Sequence, residues 1–423
     1  MVRSSAVVVS VALLALGVFG PSVVLAAQAA PFAESVSSAR PESSATRLIS
    51  AQAAADEGAP SAAAPELGQL ITPDPAARDI ALWWAGLDES ERQDAIAEEP
   101  ELIGNLDGIP YAVRDRVNRD VLARDAAEIR RQLDQGLGKG LAAESAQRLV
   151  MLEQIDEALT PSAAGPDRLL LVVDTAFPGK AAIALGDLET ADYVSILVPG
   201  ALLSVREHMA EWTKVTDDLY AEQTAWQATF DAPGTVATVS WIGYHTPDIT
   251  NAVSLDLAEQ AASALASFVG GVRQLHDGTA PYLSVFAHSY GSTATSMALS
   301  RGWMSVDAFA MIGSPGGEVQ DVAQLGVTDD NVWVGEAPWD PIVNTAFFGV
   351  DPGSAAFGAH RMNVSGSSDP ITGAILTASV GHDWYLEPGT ESLRNLSLIG
   401  IDRGEFVTDG SEDDELKTLA LLD

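Results

Sequence analysis

One serine of this 423-residue chain lies in a pattern that suits nucleophilic chemistry. An apolar run at 282–286 leads directly into a turn, and a helix-forming segment follows at 293–300. In a sharp turn from a buried strand into a helix, the residues two positions before and after the nucleophile nearly touch, so both must be small. The pattern predicts that this turn raises the Ser289 hydroxyl above the sheet, whereas a serine that only caps the helix is the competing interpretation. The turn is Ala287-His288-Ser289-Tyr290-Gly291.

Backbone N–H groups from two segments are predicted to stabilise a developing oxyanion. The N–H of Tyr290 lies at the start of the helix after the serine, where the helix dipole favours negative charge. A second donor should come from the loop after the apolar run at 193–198, which continues as Pro-Gly. Glycine allows the backbone to approach a substrate carbonyl closely, and either the N–H of Ala201 or that of Leu202 is the expected donor.

Two histidines follow Ser289 in the chain and are the candidates for a general base. Where such a turn carries a catalytic serine, the acid and then the histidine come later in the chain. His382 lies in a Gly-flanked loop after the last predicted strand, where the base is expected. His360 lies at the start of a strand, which favours a structural role. We therefore predict that His382 accepts the proton of Ser289.

Asp340 is the predicted acid. It follows the apolar run at 332–334 and would hold the imidazole in the required tautomer. Three other carboxyls compete for this role: Glu336, Asp351 and Asp369. The chemistry implies no metal ion and no cofactor, and the chain has no cysteine that could supply a thiolate.

Short apolar runs alternate with helix-length segments from residue 168 onward. Strands that are buried on both faces by crossover helices give this signature, which predicts a mostly parallel sheet. The first two runs are separated only by residues 175–180 and therefore suit an antiparallel hairpin. The predicted strands lie at 169–173, 181–185, 193–198, 236–241, 282–286, 306–312, 332–334 and 361–364.

The region 67–160 is predicted to be helical. Residues 88–91 resemble a capping box, and the helix that they open should stop at Pro100. A non-helical stretch at 101–110 precedes two apolar stripes with helical spacing. We expect the two stripes to form an antiparallel helix pair that packs against the rest of the chain, because the pair cannot bury them alone. The stripes lie at 113–133 and 149–159.

Several segments together resemble a family of largely uncharacterised actinobacterial α/β-hydrolases. The most specific is the run Ile103-Gly104-Asn105-Leu106-Asp107-Gly108-Ile109-Pro110. Other matching segments are Trp83-Trp84, Arg114-Asp115, Asn118-Arg119, Val198-Pro199-Gly200, His288-Ser289-Tyr290-Gly291-Ser292, Gly313-Ser314-Pro315-Gly316, Asp340-Pro341 and Gly381-His382. The resemblance covers about residues 78–400. It implies an α/β-hydrolase fold, with a mostly parallel central sheet preceded by an α-helical N-terminal region, and the roles assigned above to Ser289, Asp340 and His382.

The first 29 residues resemble an export signal. Arg3 precedes an apolar run at 6–19 that is too short to span a bilayer comfortably, and small residues favour cleavage after Ala26 or Ala29. We therefore predict a secreted protein with no stable membrane span after cleavage; an uncleaved anchor is the alternative. The predicted organisation is a signal peptide at 1–29, a disordered Ala/Ser/Pro-rich spacer at 30–66, the helical region at 67–160, the α/β-hydrolase domain at 161–408 and an acidic tail at 409–423.

The charge balance narrows the range of partners. The formal net charge is −36, from 23 Lys and Arg against 59 Asp and Glu. Such a surface repels phosphate backbones, so no nucleic acid partner is expected. The predicted function is that of a secreted serine hydrolase acting on a small-molecule ester or acyl substrate. A peptidase on the same fold and a non-catalytic binding protein on a hydrolase scaffold are the alternatives.

Overall fold

The computed structural model describes residues 76–163, 165–248, 250–411 and residue 414. The predicted signal peptide and spacer lie outside these residues, as do the start of the predicted helical region and most of the acidic tail. Within the described ranges, no helix is both long and apolar enough to cross a membrane.

Five α-helices form the N-terminal part of the described chain, between residues 76 and 163. The predicted capping box is confirmed, since the Asp88 side chain accepts from the Glu91 N–H and the Glu91 side chain accepts from the Asp88 N–H. Pro100 opens a further short helix, so the prediction that 101–110 is wholly non-helical is wrong; proline suits the first turn of a helix. The helices are α1 (Ala77–Gly86), α2 (Glu89–Glu98), α3 (Pro100–Ile103), α4 (Tyr111–Gln135) and α5 (Lys139–Ala158).

Helices α4 and α5 are joined by residues 136–138 and contact each other through ion pairs. Asp125 of α4 pairs with Arg148 of α5 at 2.6 Å, and Arg130 pairs with Glu153 at 3.0 Å. The apolar stripes of both helices join the core beneath the sheet rather than facing only each other.

Eight strands form one sheet in the order β1-β2-β4-β3-β5-β6-β7-β8. The first two strands form the predicted antiparallel hairpin, β2 also runs antiparallel to β4, and all other neighbours are parallel. The last strand is only two residues long and shorter than predicted. The strands are β1 (Arg168–Asp174), β2 (Lys180–Leu185), β3 (Tyr193–Val198), β4 (Val236–Ile242), β5 (Tyr282–His288), β6 (Ala308–Ile312), β7 (Val332–Gly335) and β8 (His360–Arg361).

Helices cover both faces of the sheet, which explains the continuous apolar runs of its strands. Alternate residues of β5 enter different cores: Val285 packs with α7 and α8, whereas Phe286 packs with α5, α6 and α9. Helix α8 begins directly after β5, so the central strand feeds the turn that was predicted to carry the nucleophile. These helices are α6 (Val205–Thr229), α7 (Asp256–Leu275), α8 (Tyr290–Ser300) and α9 (Glu391–Gly400).

Strand β1 lies at the edge of the sheet, and polar side chains from the N-terminal helices cover that edge. Asn105 accepts from the Val173 N–H and donates to the Val173 carbonyl, both at 2.9 Å, as a neighbouring strand would. Asp115 accepts from the Leu170 N–H at 2.7 Å. Unpaired edge strands invite pairing with other chains, and this arrangement removes that opportunity.

Three further side chains donate to carbonyls of β1. Arg114 donates to Leu171 at 2.6 Å, Asn118 to Leu170 at 2.9 Å, and Arg119 to Arg168 at 2.6 Å. We call the five covering side chains the edge clamp: Asn105, Arg114, Asp115, Asn118 and Arg119. All five belong to segments that carried the family resemblance, so the structure gives those residues an architectural role.

Candidate active site

Ser289 lies in a strained turn between β5 and α8. Its φ of 53° and ψ of −128° are rarely adopted by a residue with a side chain, and such strain is a feature of functional turns. The Ser289 N–H donates to the Ile312 carbonyl at 2.9 Å, which fastens the turn to the end of β6. A Cβ on Gly291 would come within 2.5 Å of the Pro199 carbonyl oxygen, so the small residue predicted at this position is required.

The structure brings together the three side chains that were predicted to act together. His382 Nε2 lies 2.8 Å from Ser289 Oγ, and His382 Nδ1 lies 3.0 Å from each carboxylate oxygen of Asp340. We call these three residues the triad. Its members come from loops after three different strands, all at the carboxyl edge of the sheet. A hydroxyl, an imidazole and a carboxylate in this order can transfer the hydroxyl proton to the ring and stabilise the resulting positive charge.

Asp340 is buried and accepts four hydrogen-bond contacts. Besides His382, the Tyr385 hydroxyl donates to it at 2.7 Å and the Ile342 N–H donates at 2.8 Å. Burial alone would raise the pKa of Asp340, but the hydrogen bonds from His382, Ile342 and Tyr385 and the positive charge on His382 together hold that pKa below its usual value. The carboxylate therefore remains ionised where the imidazole needs a negative partner.

The loop after β3 lies against the serine. Its hydrogen bonds decide between the two oxyanion donors predicted in this loop, the N–H groups of Ala201 and Leu202. A Cβ on Gly200 would come within 2.5 Å of Ser289 Cβ, so only glycine permits this approach. Leu202 is not a free donor, because its N–H already donates to the Pro247 carbonyl at 2.8 Å. Within the described part of the chain, neither the N–H of Ala201 nor that of Tyr290 has an acceptor. The prediction that Leu202 could be the second donor is therefore wrong, and the N–H groups of Ala201 and Tyr290 remain as the candidate oxyanion donors.

Two tyrosines that the sequence did not single out position the site. The Tyr385 hydroxyl accepts from the Ala337 N–H at 2.7 Å while donating to Asp340, so it ties the acid to its own loop. The buried Tyr244 hydroxyl donates to the Pro199 carbonyl at 2.8 Å and supports the loop that holds Gly200. Tyr385 lies three residues after the base, which is the one local signal that could have pointed to it.

His288, directly before the nucleophile, contacts the base. Its Nε2–H donates to the His382 backbone carbonyl at 2.7 Å, and the two ring centroids are 4.6 Å apart. Burial, followed by the proximity of His382, lowers the pKa of His288 to about 3. The ring is therefore neutral near neutral pH, and it supports the loop of the base without competing for the proton.

The other candidates for the base and the acid make different contacts. His360 is exposed and packs against Trp333 with tilted rings whose centroids are 4.9 Å apart. Asp369 pairs with the buried Arg394 at 2.7 Å, and Glu336 pairs with Arg361 at 3.0 Å. None of these three candidates contacts Ser289 through a hydrogen bond in the described residues.

A large cleft lies away from the triad. Its volume is about 1280 Å³, and it is bounded by α4, α5, the β1–β2 turn and α7, with Arg148, Thr175 and Trp241 among its walls. The triad residues do not line it, so cavity size alone does not locate the chemistry. Among the described residues, no group of three or more His, Asp or Glu side chains is arranged to hold a metal ion.

Comparison with known proteins agrees with this architecture. The alpha/beta hydrolase family matches residues 174–350. An uncharacterized protein of Mycobacterium tuberculosis is 30% identical over 390 residues, covering 81% of this chain and 58% of that protein. An uncharacterized protein of Mycobacterium bovis is 32% identical over 214 residues, covering 48% of this chain and 77% of that protein. The chain belongs to the alpha/beta hydrolase family.

The chain can also be compared with its relatives in length and with solved structures in fold. The chain spans only 58% of the longer mycobacterial relative. A dienelactone hydrolase from Anabaena variabilis superimposes with a TM-score of 0.35 at 14% identity, covering 56% of this chain and 96% of that one. An ester hydrolase from the metagenome of Lake Arreo superimposes with a TM-score of 0.38 at 11% identity, covering 68% and 97%. The fold itself is that of an α/β-hydrolase, with an eight-stranded, mostly parallel sheet.

Proposed function

We propose that the protein is a serine hydrolase that cleaves carboxylic esters or related acyl compounds of small molecules. The observation that carries this proposal is the continuous hydrogen-bonded chain from Ser289 through His382 to Asp340, at 2.8 and 3.0 Å, beginning on a strained serine. A serine that merely capped α8 would need neither partner, and its side chain makes no capping bond in the structure.

The reaction begins with attack of Ser289 Oγ on the substrate carbonyl carbon. His382 Nε2 accepts the hydroxyl proton, and Asp340 stabilises the imidazolium without taking the proton. The N–H groups of Tyr290 and Ala201 bind the oxygen that becomes negative. His382 then returns the proton to the leaving alcohol, which departs and leaves an acyl-enzyme.

Hydrolysis of the acyl-enzyme uses the same groups. His382 takes a proton from a water molecule, the resulting hydroxide attacks the acyl carbonyl, and the imidazolium protonates Ser289 Oγ as the acid departs. The His382 side chain is 18% exposed, so water can reach the ring. No step requires a metal ion or a cofactor.

Active-site labelling and ester hydrolysis test this proposal together. The protein should react with a fluorophosphonate probe and hydrolyse p-nitrophenyl esters. Ser289→Ala should abolish labelling and lower kcat by about 10³-fold or more, because nothing else supplies the nucleophile. Near-wild-type circular dichroism of the variant is the control for folding. Undiminished labelling of Ser289→Ala would contradict the assignment, and labelling accompanied by cleavage of peptides but not of esters would indicate a peptidase.

We also propose that the protein is exported. The support is the basic residue, the short apolar run and the small residues within the first 29 positions. Sequencing of the secreted protein should give a mature N-terminus at Ala27 or Ala30. An intact N-terminus in the membrane fraction would instead support an uncleaved anchor.

A further inference from the structure

Four large apolar side chains near the triad are exposed to solvent. Their exposed fractions run from 47% to 88%, although the chain buries most of its large apolar residues. Exposed apolar groups are unremarkable when scattered singly, but a group gathered at one site indicates an interaction surface. We call these four the apolar rim: Trp339, Phe347, Val380 and Trp384.

Three members of the rim are attached almost directly to the acid and the base. Trp339 precedes Asp340, while Val380 and Trp384 lie two residues before and after His382. The loops that carry them are joined, since the Gly381 N–H donates to the Pro338 carbonyl at 3.1 Å. The short distance between Asp340 and His382 therefore brings the backbone positions of these three residues close together.

Phe347 is connected to the nucleophile side of the site. Its ring packs edge-on against Phe348, with centroids 4.8 Å apart, and Phe348 packs against Tyr290 at 5.6 Å. Tyr290 follows Ser289 directly. Phe348 is partly covered by these contacts, whereas Phe347 is left 56% exposed.

The segments that carry the rim hold few charges, in a chain that is otherwise strongly acidic. At the chain average of 19% charged residues, the segments 337–350 and 370–384 together would hold about five or six Asp, Glu, Lys or Arg. They hold two, the buried carboxylate of Asp340 and the exposed carboxylate of Asp383. The rim is thus a sparsely charged window in a chain of net charge −36.

This combination fits an uncharged apolar phase better than a charged partner. Tryptophan has an apolar body and a polar N–H, which favours positions between an apolar phase and water. Moving the four rim side chains into such a phase would remove apolar surface from water, and none of the four carries a charge. Asp383, between His382 and Trp384, is exposed and would repel an anionic surface.

We propose that the apolar rim docks the protein onto the surface of an uncharged ester phase, such as a droplet of neutral acylglycerol, from which the triad draws its substrate. This inference rests on the proposed ester hydrolysis and adds the physical state of the substrate. Docking would place the mouth of the site against the phase, because the rim is built on the loops of the acid and the base.

Tributyrin tests the inference, because the same ester can be supplied dissolved below saturation or as droplets above it. The wild-type rate should rise above saturation beyond the value extrapolated from the dissolved substrate. In Trp339→Asn/Trp384→Ser, the ratio of the droplet rate to the dissolved rate should fall by about tenfold or more. Asparagine is chosen at 339 because the backbone there has a φ of 65°, which asparagine tolerates.

Trp303→Ser is the matched control. Trp303 is 45% exposed and follows the end of α8, whose 11 residues carry the chain about 16 Å away from Ser289. This variant should keep the wild-type ratio. An unchanged ratio in the double variant, or an equal fall in Trp303→Ser, would overturn the proposal.

A binding assay separates failure of docking from failure of the proposed chemistry. Ser289→Ala protein should float with triolein droplets, and adding the two rim substitutions should abolish flotation. Coating the droplets with anionic phosphatidylglycerol should weaken it. If the wild type hydrolyses no dissolved ester, the proposed function fails, and flotation still decides the rim. If the rim substitutions instead convert a dimer into a monomer on gel filtration without affecting flotation, the rim joins two copies of the chain and the proposal is wrong.

Discussion

Two buried carboxylates, Asp107 in the N-terminal region and Asp340 in the triad, have nearly opposite roles. Asp107 accepts from Arg114 at 2.8 Å and from the Ser267 hydroxyl at 2.8 Å. Asp340 accepts from an imidazole, a phenol and a backbone N–H. Both are well partnered, and both lie almost entirely out of water.

The partner distinguishes the two sites. Arg114 carries a permanent charge, and besides Asp107 it donates to the carbonyl groups of Gly104 and Leu171, so its guanidinium is fixed as a structural cation. His382 can gain or lose a proton, and its second nitrogen faces the hydroxyl of Ser289. A buried ion pair is therefore not evidence of catalysis by itself. What matters is a titratable partner with one atom free to act.

Changes within the triad should have the largest effect. Asp340→Asn should lower kcat by about 10³- to 10⁴-fold, because the amide can hold the imidazole in the wrong tautomer. His382→Ala should cost at least as much, since no other group can take the Ser289 proton. Both variants should bind fluorophosphonate far more slowly than the wild type in a timed labelling experiment.

The neighbouring histidine on β8 is the internal control for that prediction. His360→Ala should retain activity within about twofold, because His360 contacts Trp333 and not the triad. Loss of activity in His360→Ala together with an active His382→Ala would show that the base had been misassigned. Asp340 would then not be the partner of the catalytic base, and its role would no longer differ from that of Asp107.

Breaking the N-terminal pair should reduce stability and leave the chemistry intact. Arg114→Met removes the cation from Asp107 and two donors from β1, and should lower the free energy of unfolding by about 3–5 kcal/mol. Adding Asp107→Asn should restore part of this loss, because it removes the unpaired charge. Urea unfolding measures the stability, and kcat per fluorophosphonate-labelled molecule should stay near the wild-type value. A large fall in that kcat would mean that the edge clamp also acts on the site.

Substitution of a third carboxyl residue, Glu336, should have the smallest effect. Its role is intermediate between those of Asp107 and Asp340. Burial, reinforced by the nearby carboxylate of Asp351, raises the pKa of Glu336 from 4.5 to about 7. The folded protein therefore retains a proton that the unfolded chain releases, so its stability falls as pH rises from about 4.5 to about 7 and is level above that.

Glu336→Gln should flatten that part of the stability curve and raise stability at pH 8 by about 1 kcal/mol. The cost of releasing Arg361 is small, because that side chain is 63% exposed and can be hydrated. Thermal unfolding at several pH values measures the effect, with the exposed Glu89→Gln as the background. A variant curve that keeps the wild-type slope between pH 4.5 and 7 would contradict a protonated Glu336.

Features with short-range causes were predicted well. The capping box at Asp88, the apolar stripe of α4 and the strand before Ser289 each depend on residues that lie close together in the sequence. The errors also have local explanations. Helix α2 ends before Pro100, as predicted, but proline also suits the first turn of a helix, so α3 begins there within the stretch that was predicted to be non-helical. Strand β8 pairs over only two residues.

The sequence by itself determined the kinds of element and the kinds of chemistry available. Apolar runs bounded by turns specified buried strands. Small residues two positions before and two positions after Ser289 specified the turn. The order of serine, acid and histidine restricted the partners to a few candidates. These inferences hold because helix and strand periods, turn sterics and side-chain chemistry act over a few residues.

Tertiary structure decided which candidates meet. Only the folded chain shows that the N–H of Leu202 is already used by Pro247, that His288 lies on the ring of the base, and that the edge clamp covers β1. Each of these depends on groups that lie tens of residues apart in sequence. The orientation of an N–H or a ring is set by long-range packing, and no local period records it.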